Sequence, residues 1–165
     1  MMASLIVLYS SLLMVALWVF SANAASKNGF DLEGSLIPVR KILLGGPPRD
    51  GIPALINPAF VTAEMATYPK EDDRVLAAEI GGVAKAYPIQ ILDWYEIVND
   101  SIGNQRIAVT YCPLCDTGVV FASNVGASAL VFGVSDLLYN SDVLLYDRNT
   151  ESLRSQLMGR RFPVD

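Results

Sequence analysis

The stretch RIAVTYCPLCDTGVVFAS, residues 106–123, decides the fold, because it holds two strand-forming runs on either side of a short turn. Residues 106–112 are rich in β-branched and aromatic side chains, and residues 117–123 repeat that composition. Cys112 and Cys115, the two cysteines of the chain, lie where the runs meet. The stretch therefore predicts successive strands with a C-x-x-C motif at a strand end.

The rest of the chain adds strand signals and little helix. Two glycines at 81–82 predict a hairpin between residues 74–80 and 83–89. Further strand runs occupy residues 129–135, 142–148 and 153–159, a spacing of roughly 8–12 residues that is typical of sandwiches and barrels.

Thr62 is expected to cap a short helix before residue 69, and Pro88 to open another that places Trp94 in the core. Residues 99–105, NDSIGNQ, supply turn formers. These patterns predict a mainly β fold, an antiparallel sandwich or open barrel with one or two short helices.

The N-terminal segment has the composition of a secretory signal peptide. Residues 1–24 carry no charged side chain and include 19 apolar residues, and Ala22 and Ala24 form an A-x-A pattern that predicts cleavage after Ala24. An uncleaved anchor is the alternative, although an apolar run of 16 residues, 5–20, is shorter than the roughly 20 of a spanning helix. We therefore expect an exported domain, periplasmic or anchored on the outer face of the inner membrane.

Composition divides the remainder and excludes several functions. Residues 25–58 form an irregular arm rich in glycine and proline, and residues 59–165 are expected to form one β-rich domain. The formal net charge of -5 and the absence of a basic run argue against nucleic-acid binding. Membrane contact is expected only through the N-terminal segment, if that segment is uncleaved.

The chain contains no histidine, which removes Ser-His-Asp triads, Cys-His pairs and imidazole metal ligands. Proton transfer near neutral pH would then have to use a carboxyl group with a shifted pKa, a thiol, a lysine or a tyrosine. The candidate site is the pair Cys112 and Cys115, for which three readings stay open. A disulfide between them closes a ring of four residues and is worth about 2 kcal/mol by loop entropy, so it is a weak structural clip. A redox pair is the second reading, with Cys112 as the more reactive sulfur. A low-coordinate Cu(I) site on the two thiolates, with Asp116 nearby, is the third.

Four strings carry a resemblance: AYP (86–88), EIVND (96–100), TYCPLC (110–115) and LYNSD (138–142). Over residues 52–156 the chain resembles a bacterial domain-of-unknown-function family, number 3179. That resemblance implies an exported or membrane-tethered domain with no assigned reaction.

Two departures from the family pattern bear on the site. Family members typically carry histidine at the position of Tyr95, and a tyrosine there is no ordinary ligand for a soft metal at neutral pH. The family pattern also continues with further strands beyond residue 156, so we expect a C-terminally truncated copy with an unfilled sheet edge.

The sequence-based hypothesis is an exported domain with a thiol site, to which we assign no enzyme class. It acts by thiol-disulfide exchange with an envelope protein; the alternatives are a Cu(I)-binding or small-ligand module and an interaction scaffold with a structural clip. The residues expected near the cysteine pair are Tyr95, Glu96, Asp100, Tyr111, Asp116, Asn140 and Asp142.

Overall fold

The computed structural model describes residues 25–125 and 128–159, and it folds them mainly as two packed β-sheets. The prediction of a mainly β, antiparallel fold with short helical segments is confirmed, and the arrangement is a sandwich. The predicted signal peptide, residues 1–24, lies outside the described residues. No helix among the described residues is both long and apolar enough to cross a membrane.

In chain order the elements are β1 Ser26–Lys27, β2 Phe30–Asp31, a 3-10 turn Val39–Lys41, β3 Ile42–Leu44, β4 Leu55–Ile56, a 3-10 turn Ala63–Met65, β5 Val75–Ile80, β6 Val83–Pro88, α1 Ile89–Tyr95, β7 Ile97–Ile102, β8 Gln105–Cys112, β9 Thr117–Ala122, β10 Asn124–Val125, β11 Ser128–Ala129, β12 Phe132–Tyr139, β13 Asp142–Asp147 and β14 Leu153–Ser155.

Two four-stranded sheets form the sandwich. The cysteine sheet has the order β4-β7-β8-β9, and the second sheet has the order β14-β13-β12-β3. The pair β4 and β7 is parallel, whereas the other pairs in both sheets are antiparallel. The irregular arm thus supplies one edge strand to each sheet, β3 and β4.

Strand alternation divides the side chains between two faces. On β8, Val109 and Tyr111 face outward, whereas Ala108 and Cys112 face the second sheet. The space between the sheets is filled by a cluster that we call the intersheet core. Its buried members are Ile97, Ala108, Cys112, Phe132, Val134, Val143 and Leu145.

Each sheet is also covered on its outer face. The hairpin β5–β6 and helix α1 cover the cysteine sheet, burying Tyr87 and Leu92. The N-terminal arm covers the second sheet with Phe30, Leu32 and Ile37. The domain therefore has four layers and three apolar clusters, which gives the cysteine sheet two buried faces.

Asn99 links the two sheets directly. Its side-chain amide donates to the carbonyl oxygen of Phe132 at 2.9 Å, and its Oδ1 accepts from the Phe132 N–H at 2.7 Å. The residue is 7 % exposed, so both bonds are shielded from water. The amide thus satisfies both backbone polar groups of the first residue of β12, from the neighbouring sheet.

Several local expectations were wrong. Residues 99–102 belong to β7 rather than to a turn, and only Gly103 and Asn104 turn the chain into β8. The helix expected after Thr62 is a single 3-10 turn without a side-chain cap. Trp94 is 77 % exposed, because Leu92 occupies the buried face of α1.

The predicted hairpin at 81–82 is confirmed. Gly81 and Gly82 have φ values of +60° and +79°, the left-handed conformations that a two-residue hairpin turn requires. The strand expected at 129–135 instead runs from Phe132 to Tyr139. A β-bulge between Val134 and Leu137 lets it continue through Asp136, a residue type that usually ends strands.

Replacing Asn99 with leucine should destabilise the domain by about 2–4 kcal/mol, because the Phe132 N–H and carbonyl would lose their partners inside the core. Urea unfolding followed by circular dichroism measures this change. The exposed Asn104→Ala serves as the matched control and should change the free energy of unfolding by about 0.5 kcal/mol or less. Equal effects of the two substitutions would show that Asn99 does not link the sheets.

Candidate functional site

The C-x-x-C motif forms the turn that joins β8 to β9. Cys112 is the last residue of β8 and pairs with Thr117, the first of β9. The two sulfurs are 2.21 Å apart and form a disulfide. The Cys115 N–H donates to the Cys112 carbonyl at 3.2 Å, and the Thr117 hydroxyl donates to the Cys115 carbonyl at 3.0 Å. Backbone and side-chain bonds therefore hold the turn together with the disulfide.

The two cysteines differ in their surroundings. Cys112 is 2 % exposed and belongs to the intersheet core. Cys115 packs against the edge of that core but is partly exposed, and its neighbours Leu114 and Asp116 are exposed. The disulfide thus joins a sulfur in the hydrocarbon interior to one at the surface.

Asp116 anchors the outer side of the turn. Its carboxylate accepts from the Arg74 guanidinium at 2.6 Å and 3.3 Å, and from the Tyr111 hydroxyl at 2.7 Å. The bond from Arg74, followed by that from Tyr111, lowers the pKa of Asp116 below its usual value. The carboxylate beside Cys115 is therefore ionised and paired, with a backbone φ of +50° that turns the chain into β9.

Gln156 reaches the motif from the second sheet. Its side-chain amide donates to the Thr117 carbonyl at 3.0 Å, and its backbone N–H donates to the Val143 carbonyl at 3.1 Å. The residue is fully buried, and its Oε1 has no hydrogen-bond partner among the described residues. Gln156 therefore ties the cysteine turn to β13 across the sandwich edge.

Glu96 lies between α1 and β7 and does not bond to the cysteine turn through its side chain. Burial, together with the negative charge of Asp136, raises the pKa of Glu96 to about 7. Burial and the charge of Asp50 raise the pKa of Asp136 to about 6. Glu96 and Asp136 are thus partly protonated near neutral pH, a property that the sequence did not indicate. Tyr95, at the end of α1, is partly exposed.

Asp100 faces away from the cysteines. Its register partner on β8 is Ile107, which belongs to the outer cluster, whereas Cys112 faces the second sheet. The Asp100 carboxylate accepts from Lys85 at 2.8 Å and from the Tyr87 hydroxyl at 2.9 Å. The structure therefore separates this predicted neighbour from the disulfide by the thickness of the sheet.

The YNSD string is the turn between β12 and β13. Asn140 and Ser141 have φ values of +51° and +60° and are exposed, as a two-residue hairpin turn requires. Asp142 is buried, and its Oδ2 accepts from the Ser155 hydroxyl and from the Leu157 N–H. Asn140 thus forms part of the hairpin turn, and Asp142 holds the end of β14 and the residue that follows Gln156. In this structure both Asn140 and Asp142 have local structural roles.

Of the predicted neighbours, Tyr111 and Asp116 are the two that the structure joins by a hydrogen bond beside the disulfide. Arg74 and Gln156 were missed. Arg74 is 42 positions from Asp116, and Gln156 is 39 positions from Thr117, so no local spacing pattern signals either contact. Within residues 25–125 and 128–159, no group of three or more His, Cys, Asp or Glu side chains is arranged to hold a metal ion.

Stability should fall as pH rises from about 5 to 8. The folded pKa values of Glu96 and Asp136, about 7 and about 6, lie above the ordinary values of 4.5 and 3.8. The folded protein therefore binds more protons than the unfolded chain in this interval, and the associated stability is lost as pH rises through 6 and 7. Urea unfolding at several pH values should give a loss of about 1–2 kcal/mol, reduced by the partial exposure of Glu96.

Two variants separate the contributions of Glu96 and Asp136 to this loss of stability with pH. Glu96→Gln should remove most of the slope between pH 5 and 8. Asp136→Asn should shift the remaining loss to lower pH, because it removes the charge that adds to the Glu96 pKa. A wild-type stability that stays constant or rises over this interval would contradict the burial of these carboxyl groups.

Comparison with known proteins identifies the family. A family model described as protein of unknown function (DUF3179) matches residues 49–163, which include the cysteine sheet, strands β12 to β14 of the second sheet, the outer hairpin and the cysteine turn. The chain therefore belongs to this family. Searches of curated proteins and of solved structures found no match.

Proposed function

We propose that this member of the family carries out thiol-disulfide exchange with an exported partner protein through the Cys112–Cys115 disulfide. The observation that carries the proposal is the asymmetric placement of the bond: one sulfur is buried in the intersheet core and the other lies at the surface of a turn. Such a bond offers an approaching thiolate a single point of attack.

The turn does not need the disulfide to close. The bond encloses only four residues and is worth about 2 kcal/mol by loop entropy. Strand pairing between Cys112 and Thr117, the Cys115–Cys112 backbone bond and the Thr117 hydroxyl already close the same turn. Reduction should therefore leave the turn between β8 and β9 intact. A disulfide that takes part in exchange has to open and close without unfolding the structure around it.

Exposure favours Cys115 as the sulfur that a partner attacks. The sequence alone instead predicts Cys112 as the more reactive sulfur. A partner thiolate can approach Cys115 beside the exposed Leu114, whereas Cys112 is 2 % exposed. The Asp116 carboxylate, which would repel a thiolate, is neutralised by the Arg74 guanidinium. The approach to Cys115 is therefore open in both shape and charge.

The exchange balances as two steps. A partner thiolate attacks the Cys115 sulfur, forms a mixed disulfide, and expels Cys112 as a thiolate that takes a proton. A second thiolate of the partner then attacks the partner's own sulfur in the mixed disulfide and releases Cys115. The partner loses two electrons and two protons as its disulfide forms, and this protein gains them as two thiols.

The single-cysteine variants test the assignment of the two sulfurs. Cys112→Ser leaves Cys115 at the surface and should react with 5,5′-dithiobis(2-nitrobenzoic acid) at least about tenfold faster than Cys115→Ser, in which the remaining thiol is buried. The rates should become equal in 8 M urea. Faster reaction of Cys112 in the folded protein would refute the assignment.

The reduction potential tests the proposed function itself. Equilibration with glutathione redox buffers, followed by trapping and mass analysis, measures the reduction potential of the cysteine pair. We expect a value above roughly -300 mV, because structural disulfides that resist reduction have potentials below it. The Cys112→Ser/Cys115→Ser double variant should remain folded with a loss of about 2 kcal/mol. A potential below that value, or an unfolded double variant, would indicate a structural clip.

A further inference from the structure

A groove runs along the outer side of the cysteine sheet, on the opposite face from Cys112. It is lined by residues of the irregular segment 58–71 and of the hairpin β5–β6, together with the buried Leu92 of α1 and Val98 of β7. Its volume is about 870 Å³, within the range of roughly 300–1,000 Å³ that small-molecule sites occupy.

Large apolar side chains line the groove and are open to water. Phe60, Tyr68, Val75 and Ile91 are 37–40 % exposed, and Val83 is 47 % exposed. A contiguous set of exposed apolar groups costs free energy in water, and in natural proteins it commonly marks a binding surface. The groove walls therefore favour an apolar ligand.

One ion pair provides the polar end of the groove. Lys85, which lines it, donates to Asp100 Oδ2 at 2.8 Å and to Oδ1 at 3.0 Å. Tyr87 and the Ser101 N–H donate to the same carboxylate, so all four acceptor positions of Asp100 are used. The ring of Phe60 lies 4.3 Å from the Lys85 ammonium. Lys85 is thus held in one place by contacts on two sides.

The hydrogen-bond count shows what this end can accept. An ammonium group carries three N–H donors, and Asp100 takes two of those of Lys85, which leaves one for a ligand. The Lys85 side chain is 23 % exposed and Asp100 is 5 % exposed, so the donor is accessible while its counter-charge is buried. Because the pair is already neutral, an anionic group would be repelled by Asp100 and gain little from Lys85.

We infer that this groove binds an uncharged, largely apolar small molecule that ends in a carbonyl-type hydrogen-bond acceptor. The apolar body lies along the walls formed by Phe60, Val75 and Ile91, and the acceptor takes the remaining N–H of Lys85. The inference is independent of the exchange reaction, because it rests on the other face of the sheet.

Fluorescence and calorimetric titration of the full chain with 6-propionyl-2-(dimethylamino)naphthalene test this inference. This probe is uncharged and apolar and carries one carbonyl group, and its emission responds to the polarity around it. We expect saturable one-to-one binding with emission shifted to the blue. The 6-propyl analogue, in which a methylene replaces the carbonyl, should bind about five- to tenfold more weakly, the effect of one hydrogen bond.

Matched variants locate the site. Ala77 and Ala86 are exposed cross-strand partners that line the groove, so Ala86→Trp should fill it and weaken binding at least about tenfold. Ala122→Trp, at an exposed strand position outside the groove, should leave binding unchanged. Lys85→Met should remove the preference for the carbonyl probe. If this variant does not fold, the two probes compared on the wild type still decide the claim.

Three results would overturn the inference: no saturable binding, equal binding by Ala86→Trp and the wild type, or equal affinity for the two probes. Sedimentation of the same samples can give a fourth result that would overturn the inference. A dimer that Ala86→Trp dissociates would show that a second copy of the chain covers the groove. Cys112→Ser/Cys115→Ser should bind the probe as the wild type does, which separates this result from the outcome of the exchange experiments.

Discussion

The Asn99 amide is the link on which the two-sheet arrangement depends. It bonds to both backbone groups of Phe132 and so performs, from a side chain, the pairing that a neighbouring strand would provide. Because both bonds are buried, their loss would leave two unsatisfied polar groups in the core. They therefore favour one placement of β7 against β12. That placement directs Cys112 inward and Tyr111 outward, since successive residues of β8 face opposite sides.

This alternation gives adjacent residues unrelated roles. Asn99 joins the sheets on the inner face, whereas Asp100, the next residue, holds Lys85 and Tyr87 on the outer face. The disulfide, at the junction of β8 and β9, and the groove, lined in part by Val98 of β7, therefore lie on opposite faces of one sheet. A single sheet buried on both sides can support two separate sites, because the pleat isolates its faces from each other.

The buried charges divide into two kinds. The carboxylate of Asp100 accepts hydrogen bonds from an ammonium, a phenol and a backbone N–H, so both of its oxygens are paired inside the protein. Asp136 Oδ2 has no hydrogen-bond partner among the described residues, and burial with neighbouring negative charge raises the pKa values of Glu96 and Asp136 to about 7 and about 6. The first arrangement holds Lys85 in place at the groove, and the second is the reason to expect that stability falls as pH rises near neutrality.

Local chemistry made part of the fold and site predictable from sequence. The Gly81–Gly82 hairpin, the strands around the cysteine turn and the short helix after Pro88 follow from turn propensities and composition, which act over a few residues. Strand β7 did not, because Asn99 and Asp100 favour turns until partners 33 and 15 positions away bind their side chains. The candidate site was likewise predictable only as far as it depends on residues close together in the chain. The sequence by itself determined that two cysteines meet at a strand end. The tertiary structure alone decided which sulfur is exposed and that Arg74 anchors the turn, because burial and ion pairing depend on contacts between residues that are distant in the chain.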